Sequence, residues 1–205
     1  MRYNKYVEEN GLDESYYRTN YHVRKSVFEA QYNAIKECSD DSNTTACMKE
    51  YWSRTNYSGQ SLFMIEAMMY AQKYASGEYA LSNGFHLLGR LHILERFLAK
   101  DAKKDWENSK EKLGFANYSL DEIKSINSND WLVVSLSWAT GLDFRPFFNM
   151  YGQPYSSKAS EQIESFKFTK VKKVFFMETN DSGFILPDEN YPYLSKEELS
   201  VEKSD

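Results

Sequence analysis

Three histidines, His22, His86 and His92, are the side chains best suited to hold a catalytic metal, and their spacing decides whether they can. His86 and His92 are six residues apart, which sets them roughly 240° apart around a helix rather than on one face. A zinc pair on one helix needs two ligands a turn apart, as in HExxH, and neither that motif nor its inverse occurs. His92 and Glu95 form only a His-x-x-Glu pair. Packing or capping roles are therefore expected for the histidines. The phosphate-cradling patterns GxGxxG and GxxxxGK[ST] are missing, as is the nucleophile elbow GxSxG. Acidic neighbours such as Asp13/Glu14 and Glu107/Glu111 fall on charged helix faces, where solvation explains them. No catalytic or metal-ligating residue is assigned, and no cofactor is expected in this chain.

Cys38 and Cys47 are the two cysteines, and the polar stretch between them reads as a loop joining two helices. A disulfide across it is expected, which places the chain in an oxidising compartment, secreted or at the cell surface. Asp40, Asp41 and Asn43 lie in this loop without the spacing or central glycine of a calcium-binding EF-hand. The first residues, MRYNKYVEENG, have neither a basic leader nor an apolar centre, so a secretion leader would lie upstream of them.

The densest concentration of unusual residues is TGLDFRPFFNMYGQPYS, Thr140 to Ser156. Each has a structural reading. Gly141 ends one helix in the left-handed region, and Asp143 is a candidate N-cap for the next. Pro146 is tolerated in the first turn, where its missing N–H has no helical partner. Phe147, Phe148 and Tyr151 then project aromatic rings, Gly152 stops the helix, and Pro154 keeps it from resuming. Asp143, Arg145, Phe147, Phe148, Tyr151 and Gly152 form a candidate cleft or packing motif.

The elements that must position this motif are mostly helical. Apolar residues recur at helical spacing from about Ser15 to Glu37, and a shorter helix is expected from Thr45 to Trp52. Ser58 or Ser61 is expected to cap a further helix that stops near Gly77. The most apolar helix is expected over Tyr79–Ala99, with Gly84 and Gly89 inside it marking close passage of another backbone. A charged helix anchored by Trp106 runs over Asp101–Lys112 to Gly114. Ser119-Leu-Asp-Glu122 is a capping box, and Asn129 or Ser128 starts the apolar helix that Gly141 ends. Short helices follow from Phe144 to Met150 and from the Ser156/Ser157 cap to Phe166. The fold class is mainly α, a compact multi-helix bundle with a small β element near the C-terminus. Residues 1–194 form one helical domain with a strand-like segment at about 166–180, and the charged tail 195–205 is expected to be disordered.

The 205 residues are 41% hydrophobic and carry a formal net charge of −5. That is enough apolar material for a core, while no basic stripe marks a nucleic-acid partner and no apolar run is long enough to span a membrane.

The run from Ser137 to Ser156 also resembles a pattern found downstream of the zinc site in gluzincin-type metallopeptidases, especially the enhancin-like and mucin-degrading bacterial proteases. Its features are a Ser or Thr, a Gly, then Asp, aromatics and a Phe before an aromatic–Gly pair. Tyr151 stands where Trp is frequent, and Gln153-Pro154 precedes Tyr155. The match is strong from Asp130 to Ile163 and loose from about Leu62 onward. The resemblance implies the helical C-terminal portion of a secreted zinc metalloprotease acting on glycoprotein or mucin-like substrates, with zinc and the HExxH helix in the rest of the parent. Its partners would then be the catalytic half and the glycoprotein substrate, which exposed tyrosines, Trp131 or Trp138 could touch. A stand-alone helical interaction domain without enzymatic activity is the alternative.

Overall fold

The computed structural model describes residues 25–39, 43–100, 102–177 and 197–201. Helix α1 (Lys25–Cys38) and the long helix α2 (Thr44–Tyr74) are followed by a 3-10 turn at Gly77–Tyr79 and helix α3 (His86–Lys100). A second 3-10 turn (Ala102–Lys104) leads to short helices α4 (Trp106–Ser109) and α5 (Leu120–Lys124), then α6 (Ser128–Thr140). Strand β1 (Leu142–Asp143), helices α7 (Arg145–Met150) and α8 (Ser157–Phe166), and strands β2 (Thr169–Lys170), β3 (Val174–Met177) and β4 (Glu197–Ser200) complete the order. The mainly helical class with a small β element is the one expected.

Cys38 and Cys47 are bonded, with Cα atoms 5.7 Å apart, so the last turn of α1 is tied to the first turn of α2. Asn43 between them caps α2, its side chain accepting from the Ala46 N–H at 3.1 Å. Replacing both cysteines by serine is expected to cost about 2–3 kcal/mol through the freed unfolded chain. Urea denaturation of the variant beside the wild type checks this, and an unchanged midpoint would refute it.

Several boundaries differ from the expectation, each for a tertiary reason. The two helices anticipated over 45–77 are one, α2, which continues through Ser61. From Leu62 to Ala71 this helix is buried on nearly every side, including Phe63, Ala67, Met68, Met69 and Tyr70. Packing all round overrides the weak local preference for a break. The apolar helix α3 begins at His86 rather than Tyr79, because Asn83 accepts the Phe85 N–H at 2.9 Å and forms a turn. Gly84 thus lies before the helix, and it is there that a backbone passes close. An added Cβ would sit 2.8 Å from the Met68 carbonyl oxygen, whereas at Gly89 it would meet nothing. Within the charged segment expected as a helix, residues 102–112 form only a 3-10 turn, the four-residue α4 and turns, yet Trp106 anchors it as expected, donating to the Tyr118 carbonyl at 2.8 Å.

The Ser119–Glu122 capping box is present, and Gly141 ends α6 at φ 67°. The cap of α6 is Asn127 rather than Asn129 or Ser128. The expected strand region splits into β2, parallel to β1, and β3, antiparallel to β4. Residues 197–200, in the tail expected to be disordered, supply β4, opposite Val174–Met177. Alternation carried too weak a signal there, since EELS becomes a strand only by hydrogen-bonding to the buried β3. The expected helix before residue 25 and the strand-like residues 178–180 lie outside the described residues.

Candidate functional site

The motif from Thr140 to Gly152 links α6, β1 and α7. The turn after α6 is fixed by Ser137, whose hydroxyl donates to the Val133 carbonyl at 2.8 Å and accepts the Phe144 N–H at 3.1 Å. Asp143, expected as an N-cap, is instead the last residue of β1, while Phe144 occupies the cap position without a side-chain bond. One Asp143 oxygen still accepts the Arg145 N–H at 3.0 Å, so the carboxylate does part of a cap's work from one residue further out.

Asp143 is buried, and the Arg145 guanidinium grips both its oxygens, with Nε at 3.0 and 3.1 Å and Nη2 at 2.7 Å. The other side of the guanidinium reaches α8, where Nη1 donates to the Ser160 hydroxyl at 3.1 Å and Nη2 to the Glu164 carboxylate. Ser160 and Glu164 share one face of α8, being four residues apart. The hydrogen bonds to Asp143 are the main cause raising the Arg145 pKa above its ordinary value.

Phe147, Phe148 and Tyr151 point inward and are fully buried. Phe147 packs against the rings of Tyr151 at 4.7 Å, Phe63 at 4.9 Å and Tyr70 at 5.2 Å between centroids. Tyr151 donates to the buried Gln31 at 3.3 Å, and burial holds its hydroxyl well above the usual tyrosine range. Its carbonyl accepts from Trp52 Nε1 at 3.0 Å. Gly152, at φ 62°, allows α2 to cross; a Cβ there would lie 2.8 Å from both the Thr44 carbonyl oxygen and the Met48 Cβ. The arrangement is a joint of ring contacts and one bidentate ion pair, suited to holding elements in register. Asp130 extends it, its two oxygens accepting the Ser156 N–H at 2.7 Å and hydroxyl at 2.6 Å.

Among the described residues no group of His, Cys, Asp and Glu is placed to hold a metal ion. His92 is exposed with only Glu95 beside it at 3.4 Å, and His86 Nδ1 is 3.5 Å from the Ser82 hydroxyl. His22 lies outside the described residues. Zinc does not fit these positions. Trp138 is half-buried, its ring tilted against that of Phe166 with centroids 5.2 Å apart and its indole N–H donating to the Lys112 carbonyl at 3.3 Å.

The surface of α3 carries exposed apolar side chains. Ile93 and Phe97, one turn apart on α3, are 57% and 52% exposed. Beside them lies a groove of about 560 Å³ whose wall includes Leu94, Ala102, Lys112 and Leu113. A smaller hollow of about 320 Å³ continues past Ile93 to Trp138. The signal lay in HLLGRLHILERFLAK: Leu87, Leu91 and Leu98 make the buried stripe, and Ile93 and Phe97 fall off it.

This helical joint belongs to a fold seen in metallopeptidases. Over about a third of its length the chain is homologous to the immunomodulating metalloprotease of Pseudomonas aeruginosa, at 32% identity over 79 residues, which are 36% of this chain and 9% of the relative. The structure of IMPa metallopeptidase from Pseudomonas aeruginosa matches 97% of this chain and 21% of its own, with a TM-score of 0.69 and 21% identity. The structure of IMPa in complex with an O-glycopeptide matches 96% of this chain with a TM-score of 0.68. The chain thus spans about a fifth of the solved structures it matches. No protein-family model matches it.

Proposed function

We propose that this chain is a non-catalytic helical subdomain of a secreted zinc metalloprotease that acts on glycoprotein or mucin-like substrates. It packs against the catalytic half and shapes one wall of the substrate cleft, and the zinc resides in that other half. The observation that carries this reading is the match of nearly the whole chain to a fifth of a metallopeptidase, in a sequence without HExxH. The Cys38–Cys47 bond supports an oxidising, extracellular setting. The buried Asp143–Arg145 joint supports a scaffolding role for the motif, since its polar atoms are engaged within the chain.

Elemental analysis and a mucin-cleavage assay test this directly. The isolated chain is expected to carry no stoichiometric zinc and to leave mucin intact, while the parent polypeptide cleaves it and loses that activity to a chelator. One zinc per isolated chain, together with chelator-sensitive cleavage, would overturn the reading.

A further inference from the structure

Strand β4 is fastened to α2 through a single carboxylate set between cations. Glu198 stands opposite Phe176 of β3, so both side chains lie on the face of the strand pair turned to α2. There the Lys73 ammonium pairs with the Glu198 carboxylate at 2.5 Å, and the Tyr74 hydroxyl donates to the same oxygen. The ammonium groups of Lys73 and Lys172 stand 5.7 and 5.4 Å from the centre of the Tyr74 ring, so two cations flank this contact. On the other face Leu199 lies opposite Phe175, whose ring meets that of Tyr32 on α1 at 5.7 Å. Tyr32 donates to the Ser200 carbonyl at 3.0 Å, and the Lys36 ammonium stands over its ring.

Strand β3 has a second support. Its Val174 and Phe176 N–H groups donate at 3.0 Å to the Tyr70 hydroxyl and the Glu66 carboxylate, both on α2. Residues two apart in a strand direct their N–H groups to the same edge, so α2 holds one edge of β3 and β4 covers the other. We infer that β4 is an acid-released strap: protonating Glu198 frees it from Lys73 and Tyr74 and bares the edge of β3 while the helical core stays folded. The bond to Lys73 first, and then that to Tyr74, hold the Glu198 carboxyl below the ordinary glutamate value of 4.5. A carboxyl lowered by folding adds stability above its unfolded value, and the contribution is lost as pH falls through the folded one. The strap is therefore closed at neutral pH and loosens below 4.5. Burial raises the Tyr74 hydroxyl, which keeps its proton throughout. A bared strand edge is a template for a further strand, so release presents a pairing surface.

Hydrogen exchange of the whole chain, read residue by residue and corrected for the chemical rate, tests the strap. Between about pH 7 and about pH 3 the β4 amides are expected to lose protection at least about fivefold, while those of α2 and α6 keep theirs. Glu198→Gln at about pH 7 is expected to exchange as the wild type does in acid, with no further change on acidification. Tyr32→Phe removes the Ser200 contact and no carboxylate, so it is expected to loosen β4 alike at both pH values and to keep the acid response. Unchanged protection of β4 in acid would overturn the inference. So would an acid response that persists in Glu198→Gln, since the titrating group would then lie elsewhere, at Glu66 for instance. Opening of β4 only together with α2 and α6 would also overturn it, because the strap would have no separate release.

Discussion

Phe147→Ala is expected to lower the unfolding free energy by about 3–5 kcal/mol, a large share of the total for a domain of this size. The ring is fully buried, and it touches those of Phe63, Tyr70, Phe144, Phe148 and Tyr151. It therefore joins α7 to the middle of α2, the most enclosed part of the core. Removing it forfeits the transfer free energy and leaves a cavity that rigid neighbouring rings fill poorly. Phe97→Ala removes the same atoms from a half-exposed site, so it is expected to change stability by less than about 0.5 kcal/mol. The two midpoints in urea, compared at constant m-value, give the contrast. Equal losses at the two positions would show that α7 is not seated on α2 as described.

That contrast also marks what the sequence makes legible. Punctuation read locally was recoverable: the Ser119–Glu122 box, the Gly141 stop and the Ser156 cap each satisfy backbone groups within four residues of themselves. The disulfide was legible because its partners flank one short loop. Where distant packing decided, local signals misled. Ser61 could cap a helix but lies inside one, since the α2 positions that follow it are enclosed by α7 and β3. β4 depends on residues far away in sequence, as when Tyr32 donates to the Ser200 carbonyl at 3.0 Å and Lys73 pairs with Glu198 at 2.5 Å. The aromatic motif was found for its odd composition, but whether its rings faced a cleft or the core depended on α2 crossing at Gly152. The groove on α3 is not legible in the sequence, because nothing in composition separates exposed Phe97 from buried Leu98.

Asp143→Ala is expected to cost a comparable amount, about 3–5 kcal/mol, because it strips a nearly buried guanidinium of its main partner. The Arg145 side chain is 14% exposed and Asp143 only 3%, so water cannot replace the lost carboxylate well. The same change removes the acceptor for the Arg145 N–H at the start of α7. Asp143→Asn keeps that acceptor and loses the charge, so its effect should fall between alanine and wild type. Glu164 also pairs with Arg145, but its side chain is 72% exposed, and Glu164→Gln is expected to cost less than about 1 kcal/mol. Thermal or urea unfolding of the three variants thus gives an order: Ala at 143, then Asn at 143, then Gln at 164. Removing both partners at once, Asp143→Ala with Arg145→Met, should cost less than the sum of the single changes, since neither charge is then left unpaired. An additive double variant, or a Glu164→Gln loss equal to Asp143→Ala, would mean that the ion pair does not hold β1, α7 and α8 together.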